Sequence, residues 1–179
     1  MADSDPLLEA ARFGDEGAWA EIVRALGPRV VGYARAKGIA DPEDLMQEVF
    51  LAAAQRIGSF EGSYSDFRSW VFAIAHHRIV DEYRRRARTP QLVPVDAIAH
   101  TAPSSGAGPV ELVIAREDVV SSVRALDGLS PIERDVVLLR VVAELSSEEV
   151  GSILSKRPGT IRVMQSRALE KLKRVVQEQ

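Results

Sequence analysis

Residues 130–172, SPIERDVVLLRVVAELSSEEVGSILSKRPGTIRVMQSRALEKL, contain three helix starts in close succession. Ser130 is followed by proline and then by Glu133, which are the residue types and the spacing of a capping box. Ser146 precedes two glutamates whose charge suits the positive end of a helix dipole. Pro158 has the fixed φ angle that suits the first position of a helix. The stretch therefore predicts three short helices joined by tight turns.

The third of these helices has the composition of a DNA recognition helix. Its apolar residues recur at spacings of three, four and four, so one face packs inward and polar residues project from the other. Arginine pairs bidentately with guanine, serine reaches base edges or phosphates, and an exposed valine contacts a thymine methyl. The stretch predicts a helix-turn-helix whose third helix enters a major groove; the alternative is a basic amphipathic helix that only packs on its neighbours. The inward residues are Ile161, Met164, Ala168 and Leu172, and the outward residues are Arg162, Val163, Ser166 and Arg167.

The first half of the chain is also helical in pattern, and a connector of different composition separates the two halves. Apolar residues recur at helical spacing from Pro6 to Arg88. Residues 89–110 then carry four prolines, two glycines and a single charged residue, which is typical of a linker. Such a linker stretches to roughly 70 Å, so the halves are able to lie far apart on a large partner. We predict an all-α fold with two small domains, residues 1–88 and 111–179.

Charge is distributed unevenly along the chain, although the net charge is only -3. Residues 63–88 carry a net +3 and residues 156–179 a net +5, whereas residues 1–62 carry -5 and residues 89–155 carry -6. Two separate basic blocks suit two surfaces that meet phosphates. The alternative for each block is an ordinary solvated helix face.

Composition excludes several classes of protein. With 46% hydrophobic residues among 179, the chain can bury a core, and no apolar run reaches the ~18 residues of a membrane span. The acidic start lacks the features of a signal peptide, so we expect a cytoplasmic protein. Zero cysteines exclude disulfides and thiolate chemistry. Because the adjacent His76 and His77 point to different helix faces, we predict no metal site, and the sequence indicates no cofactor.

Three segments carry a family resemblance. Residues 41–51, DPEDLMQEVFL, resemble the D-x-E-D-L-x-Q-E-x-F run of bacterial sigma factors of the sigma-70 family, in its extracytoplasmic-function (ECF) group. Residues 67–75, FRSWVFAIA, which lead into 81–86, DEYRRR, are similar to the F-R-x-W-L-x-x-I-A segment and basic tail of that group. Residues 129–140 and 159–162 are similar to its domain 4. The resemblance implies a two-domain subunit that binds core RNA polymerase and directs it to promoters, without catalysis of its own.

The resemblance implies a polymerase-docking site on a helix that begins near Pro42. Asp44, Gln47 and Glu48 share one face of that helix by their i, i+3 and i+4 spacing, and we call them the acidic patch. The resemblance implies that this patch, with Asp41, docks on the clamp helices of the polymerase β′ subunit, and that the β flap is a second contact. The alternative from charge alone is a solvated acidic helix face. The resemblance leaves open whether an anti-sigma factor is a further partner.

The resemblance also implies two sites for promoter DNA. Residues 60–66 are expected to form a loop that, with the basic helix after it, opens the minus-10 element and captures an unstacked base. Trp70 and Phe67 are instead expected to belong to the core. The minus-10 candidates are Phe60, Ser63, Tyr64, Arg68, His77, Arg84, Arg85 and Arg86, and the minus-35 candidates are Arg157, Thr160, Arg162, Val163, Ser166 and Arg167.

The sequence departs from the family pattern at four positions. His77 stands where asparagine is common. Gly151 replaces the usual alanine of the helix-turn-helix, and Ser155 replaces the usual glycine of its turn. Arg157 stands where a capping serine or threonine is expected, and loss of such a cap costs up to ~1 kcal/mol. We therefore expect a strained or less stable turn.

Two other classes of function are weighed against this one. The first is a conventional helix-turn-helix regulator that binds duplex DNA without polymerase and whose first half senses a signal or dimerises. Tight specific binding by the isolated protein would distinguish it from a sigma factor, which needs core polymerase. The second is a helical enzyme, which requires a convergent catalytic set that the sequence does not indicate.

Overall fold

The computed structural model describes residues 5–88, 126 and 128–177, and all regular structure in these ranges is helical. The prediction of an all-α fold is confirmed. The predicted linker, residues 89–110, lies outside the described residues, as does the first part of the predicted second domain, residues 111–125. The helices are α1 (Pro6–Arg12), α2 (Glu16–Ala36), α3 (Pro42–Arg56), α4 (Tyr64–Arg88), α5 (Pro131–Val141), α6 (Ser147–Leu154) and α7 (Pro158–Gln177), and a single 3₁₀ turn (Ile57–Ser59) follows α3.

Helices α1 to α4 form an N-terminal module in which α2, α3 and α4 pack against one another and α1 lies against α2. Each of the first three helices begins at an aspartate whose carboxylate accepts a backbone amide: Asp5 for α1, Asp15 for α2 and Asp41 for α3. The core of the module is fully buried and includes Ile22, Val30, Tyr33, Val49, Phe67, Phe72 and Ile79.

Helices α5 to α7 form a C-terminal module with the predicted helix-turn-helix arrangement. Ser130 and Ser146 cap α5 and α6, each in a complete capping box, and α7 begins at Pro158. The Glu133 carboxylate accepts from Lys171 Nζ at 2.8 Å as well as from Ser130, and these bonds lower the pKa of Glu133 to about 2. The helix starts predicted at Ser130, Ser146 and Pro158 are therefore confirmed.

The turn between α6 and α7 explains one departure from the family pattern, at Gly151, and shows the conformational cost of another, at Ser155. Ser155 has a φ of 53°, a left-handed conformation that costs a residue other than glycine about 1–2 kcal/mol. A Cβ atom on Gly151 would lie 2.6 Å from the backbone oxygen of Lys156, closer than real Cβ contacts come. Glycine is therefore required in the helix at 151, where the turn folds back against α6, and the strain that we expected is located at Ser155.

The two modules are in contact with each other. Helix α2 lies against α5, and α4 lies against α6. The sequence predicted only that the halves can lie far apart, and it gave no indication of this contact.

The steric requirement at Gly151 yields a prediction about stability. We expect Gly151→Ala to lower the free energy of unfolding by about 1–3 kcal/mol, because the new methyl group collides with a backbone carbonyl. Chemical denaturation of the full chain, followed by circular dichroism, measures the change. The matched control is Gly159→Ala in the first turn of α7, where a Cβ atom meets nothing within 4 Å. Equal effects of the two substitutions would contradict the steric account.

Candidate nucleic-acid and partner-binding surfaces

The acidic patch of α3 is exposed as one surface. Leu45, Val49 and Ala53 are buried on the inner face of this helix, and Asp44, Gln47 and Glu48 consequently point to solvent. Asp41 caps the helix through a 2.9 Å bond from the Asp44 amide to its Oδ1. The described geometry therefore agrees with the shared face that the spacing predicted.

Leu51 extends this surface, although the sequence analysis did not select it as a site residue. It lies one turn beyond Gln47 and is 61% exposed, which is unusual for a large apolar side chain. The core of a protein interface is more apolar than its polar rim, so an exposed leucine beside hydrogen-bonding groups suits a binding surface. The signal that identifies Leu51 is its i+3 and i+4 spacing from Glu48 and Gln47.

A groove of about 340 Å³ separates the start of α3 from the second half of α4. Acidic and basic side chains alternate along it: Arg78 donates to Glu48 at 3.1 Å, while Glu82 forms ion pairs with Arg85 at 2.5 Å and Arg86 at 2.7 Å. Arg84 pairs with Asp81 at 3.2 Å. The basic tail of α4 is thus exposed, but Arg84, Arg85 and Arg86 already have carboxylate partners on the same helix.

The loop before α4 is shorter than the sequence predicted. The expected loop spanned residues 60–66, but α4 begins at Tyr64. Ser63 and Asp66 cause the early start: the Ser63 amide donates to Asp66 Oδ2 at 2.8 Å, and the Asp66 amide donates to Ser63 Oγ at 3.3 Å. The bonds from Ser63 also lower the pKa of Asp66. Ser63, a minus-10 candidate, therefore serves as a helix cap.

Phe60 belongs to an aromatic cluster in this loop. Its ring stacks on Trp70 with a centroid distance of 5.2 Å and meets the edge of Phe67 at 5.5 Å. Phe67 is fully buried, as predicted, whereas Trp70 is half-buried. The Arg12 guanidinium donates to the Phe60 carbonyl and ties the loop to α1. The Phe60 side chain thus packs within the protein and is only partly available to a base.

The other minus-10 candidates differ in accessibility. Tyr64 and Arg68 are half-buried, and Arg68 donates to Ser65 Oγ at 3.2 Å. His77 is exposed on α4, while its neighbour His76 turns inward and lies 2.9 Å from the Tyr33 hydroxyl. Among the described residues there is no group of three or more His, Cys, Asp or Glu side chains that could hold a metal ion.

The outer face of α7 is the one that the sequence predicted. Ile161 and Ala168 are fully buried, and this orients the opposite face to solvent. Arg162 donates to Glu148 of α6 at 2.7 Å, with both side chains 62% exposed. The exposed residues of this face and of the turn before it are Arg157, Thr160, Arg162, Val163, Ser166 and Arg167.

None of the helices in the described ranges is both long and apolar enough to span a membrane.

Comparison with known proteins identifies both modules. The family model for Sigma-70 region 2 matches residues 22–89, and the model for Sigma-70, region 4 matches residues 125–174. The ECF RNA polymerase sigma factor ShbA of Streptomyces griseus is 30% identical over 181 residues, which cover 96% of this chain and 94% of that protein. The ECF RNA polymerase sigma factor SigD of Mycobacterium tuberculosis is 30% identical over 176 residues, covering 94% of this chain and 82% of that protein.

A solved structure shares the fold. The sigma factor RpoE of Bartonella quintana, determined in complex with the anti-sigma factor NepR, superposes with a TM-score of 0.67 at 22% identity, covering 88% of this chain and 96% of that one. Matches to both sigma-70 regions, together with relatives that align over nearly the whole length, establish that the chain belongs to the extracytoplasmic-function group of the sigma-70 family of RNA polymerase sigma factors.

Proposed function

We propose that this sigma factor delivers core RNA polymerase to promoters by using three surfaces: the acidic patch for polymerase, the start of α4 for the minus-10 element, and the outer face of α7 for the minus-35 element. The observation that carries the proposal is the exposure of the acidic patch and of the α7 face on two different modules, each of which matches a sigma-70 region. Its role is to bind and position, not to catalyse, and its place of action is the cytoplasm, where polymerase and promoters are found.

The domain limits that we propose are residues 1–88 for the module that binds polymerase and the minus-10 element, 89–110 for the linker, and 111–179 for the module that binds the minus-35 element. The family matches over residues 22–89 and 125–174 support these limits.

The polymerase-docking surface combines charge with one apolar anchor. Asp44, Gln47 and Glu48 supply acceptors and an amide for the β′ clamp helices, and the exposed Leu51 offers apolar area one turn further along the same helix face. Asp41 contributes by fixing the start of α3. The C-terminal module meets the β flap. NepR binds RpoE of Bartonella quintana, and we extend the same class of partner, an anti-sigma factor, to this chain.

Capture of the minus-10 element requires a pocket for an unstacked base and cations for the strand backbone. Phe60 and Ser63 shape the loop through the aromatic cluster and the helix cap. Tyr64 and Arg68 lie at the start of α4, where a base would enter. His77 and Arg84–Arg86 are exposed further along this helix and meet the backbone.

Reversal of charge on the acidic patch tests the docking site. We expect Asp44→Lys with Glu48→Lys to weaken binding to core polymerase at least about tenfold, which is about 1.4 kcal/mol, because the patch would then repel basic partner side chains. Fluorescence titration of labelled protein with core polymerase measures the affinity. The matched control is Glu16→Lys with Glu170→Lys, which changes the net charge equally at exposed sites elsewhere. An unchanged dissociation constant for the patch variant would exclude this docking face.

Loss of the α7 arginines tests minus-35 recognition. We expect Arg162→Ala and Arg167→Ala each to reduce discrimination among minus-35 sequences by roughly 1–3 kcal/mol if the arginine makes a bidentate base contact. Transcription in vitro with core polymerase over a library of varied promoters gives the preference. The control is Lys173→Ala, an exposed cation of α7, which should weaken binding about equally for all sequences. If the arginine variants retain the parental promoter preference, the recognition face has been assigned wrongly.

A further inference from the structure

The loop before α4, residues 60–63, lies against α1, and we call it the minus-10 loop. The Arg12 guanidinium, at the end of α1, donates to the carbonyl of Phe60, the first residue of this loop. Helix α1 also contacts the 3₁₀ turn that leads into the loop. Burial raises the pKa of Tyr64, the residue after the loop, and the Asp5 carboxylate at the start of α1 adds to this rise, so the two side chains lie near each other. Helix α1 thus reaches both ends of the minus-10 loop.

Two anchors fix the backbone of the minus-10 loop. At its second end the Ser63 amide donates to Asp66 Oδ2 at 2.8 Å, within the first turn of α4. At its first end the bond comes from Arg12, which lies 48 positions earlier in the chain. Only Glu61 and Gly62 stand between the anchored residues, and Gly62 has a φ of 148°, a conformation that favours glycine. The shape of the loop therefore depends on one local anchor and one anchor from a distant helix.

Aromatic packing determines where α1 lies relative to the minus-10 loop. Trp19 Nε1 of α2 donates to the Ala11 carbonyl at 3.0 Å and so holds the end of α1. The Trp19 ring meets the edge of Phe67, with ring centroids 6.5 Å apart, and Phe67 in turn meets Phe60 at 5.5 Å. The Arg12 backbone is therefore held at a fixed distance from the loop that its side chain contacts.

The placement of Arg12 is not explained by stability alone. Its Nε is fully buried, and no group in the part of the chain that the structure describes accepts a hydrogen bond from it. Its ion pair with Glu9 is long, at 3.5 Å, and partly exposed, so it contributes little. A buried donor without an acceptor destabilises a fold, and such groups call for another explanation. This cost indicates that Arg12 serves the loop rather than the stability of the module.

The anchor at Arg12 joins the minus-10 loop to a segment outside the region 2 match. The family model matches from residue 22, so α1 and Trp19 precede the matched residues, whereas the loop lies within them. Helix α1 is thus an addition to the matched part of the module, and its contacts with the loop suggest what it adds.

Order in the minus-10 loop matters because base capture is costly. Unstacking a base from the duplex requires free energy, and ordering a flexible loop in the same step would add a loss of conformational entropy. A loop that already has its binding shape avoids the second cost.

We propose that α1 is a brace for the minus-10 loop and that Arg12 is a positioning residue for base capture, because its bond to the Phe60 carbonyl keeps the loop in the shape that receives an unstacked base. The inference rests on the proposed function, since it takes this loop to be part of the minus-10 site. Arg12 acts through the backbone of the loop and does not touch DNA. Loss of the brace slows promoter opening but leaves docking on polymerase and reading of the minus-35 element unchanged.

Substitution of Arg12 tests the brace. Arg12→Met retains an apolar stem but removes every donor, whereas Arg12→Lys retains a cationic donor for the carbonyl. The assay uses the full chain, core polymerase and a duplex promoter, selected from the varied library, that carries 2-aminopurine in its minus-10 element. The fluorescence of this base rises when it leaves the stack, so stopped-flow measurement gives the rate of opening. We expect Arg12→Met to slow opening at least about tenfold and Arg12→Lys to stay within about threefold of the parental rate.

The matched control is Arg24→Met, which removes the same charge from an exposed position of α2 and should change the opening rate less than about twofold. Two further measurements separate positioning from a general loss of structure. These are the dissociation constant for core polymerase and the preference among minus-35 sequences, and for Arg12→Met both should stay within about twofold of the parental values. A role in folding would change them together with the opening rate.

A milder variant keeps the test decisive even if Arg12→Met does not fold, which circular dichroism checks. Trp19→Phe retains a ring against Phe67 but removes the N–H group that holds the Ala11 carbonyl. We expect this variant to slow opening roughly two- to fivefold, because α1 is then held less firmly, with no change in affinity for core polymerase.

The possible results separate the brace from the proposed function. Parental opening rates for folded Arg12→Met or for Trp19→Phe would overturn the brace. An equal loss of polymerase affinity and of opening rate would also overturn it, since Arg12 would then support the whole module. If the wild-type chain opens no promoter with core polymerase, the proposed function itself fails, and the inference that rests on it fails too.

Discussion

Every helix of this protein must bury one apolar face, and that constraint determines which residues are left for binding. In α7, Ile161 and Ala168 are fully buried, and Arg162 and Arg167 therefore lie on the face that is exposed to solvent. In α3, burial of Val49 has the same effect on Gln47 and Glu48. The hydrophobic effect that stabilises each module therefore also orients its polar surface.

The features that the sequence predicted well are local ones. The caps at Ser130 and Ser146 and the exposed face of α7 depend on residues within one or two helical turns, and their spacing is visible without the fold. The early start of α4 was missed because the Ser63 and Asp66 pattern resembles a loop as much as a capping box. The fold assignment itself needed only helical periodicity and proline positions.

Contacts between distant parts of the chain could not be predicted from the sequence. The sequence makes Phe60 a minus-10 candidate, but it does not predict the stacking of this ring on Trp70, which depends on how the loop folds over α4. The Lys37 and Asp135 pair joins residues from opposite halves, and no periodicity relates them. One signal was present: Asp135 directly precedes the apolar run of Val136 to Leu139, on a helix face that is otherwise buried. A charge in such a place usually has a partner elsewhere.

The ion pair between Arg162 and Glu148 has a consequence for how the protein distinguishes its target from bulk genomic DNA. Under the proposed function, any duplex that approaches α7 has to displace a carboxylate from the guanidinium before it gains a contact. When a phosphate of non-specific DNA displaces the Glu148 carboxylate, the Arg162 guanidinium only replaces one anionic partner with another. A correctly positioned guanine edge instead accepts two directed hydrogen bonds from the guanidinium. The glutamate thereby acts as a competitor that depresses background affinity more than cognate affinity.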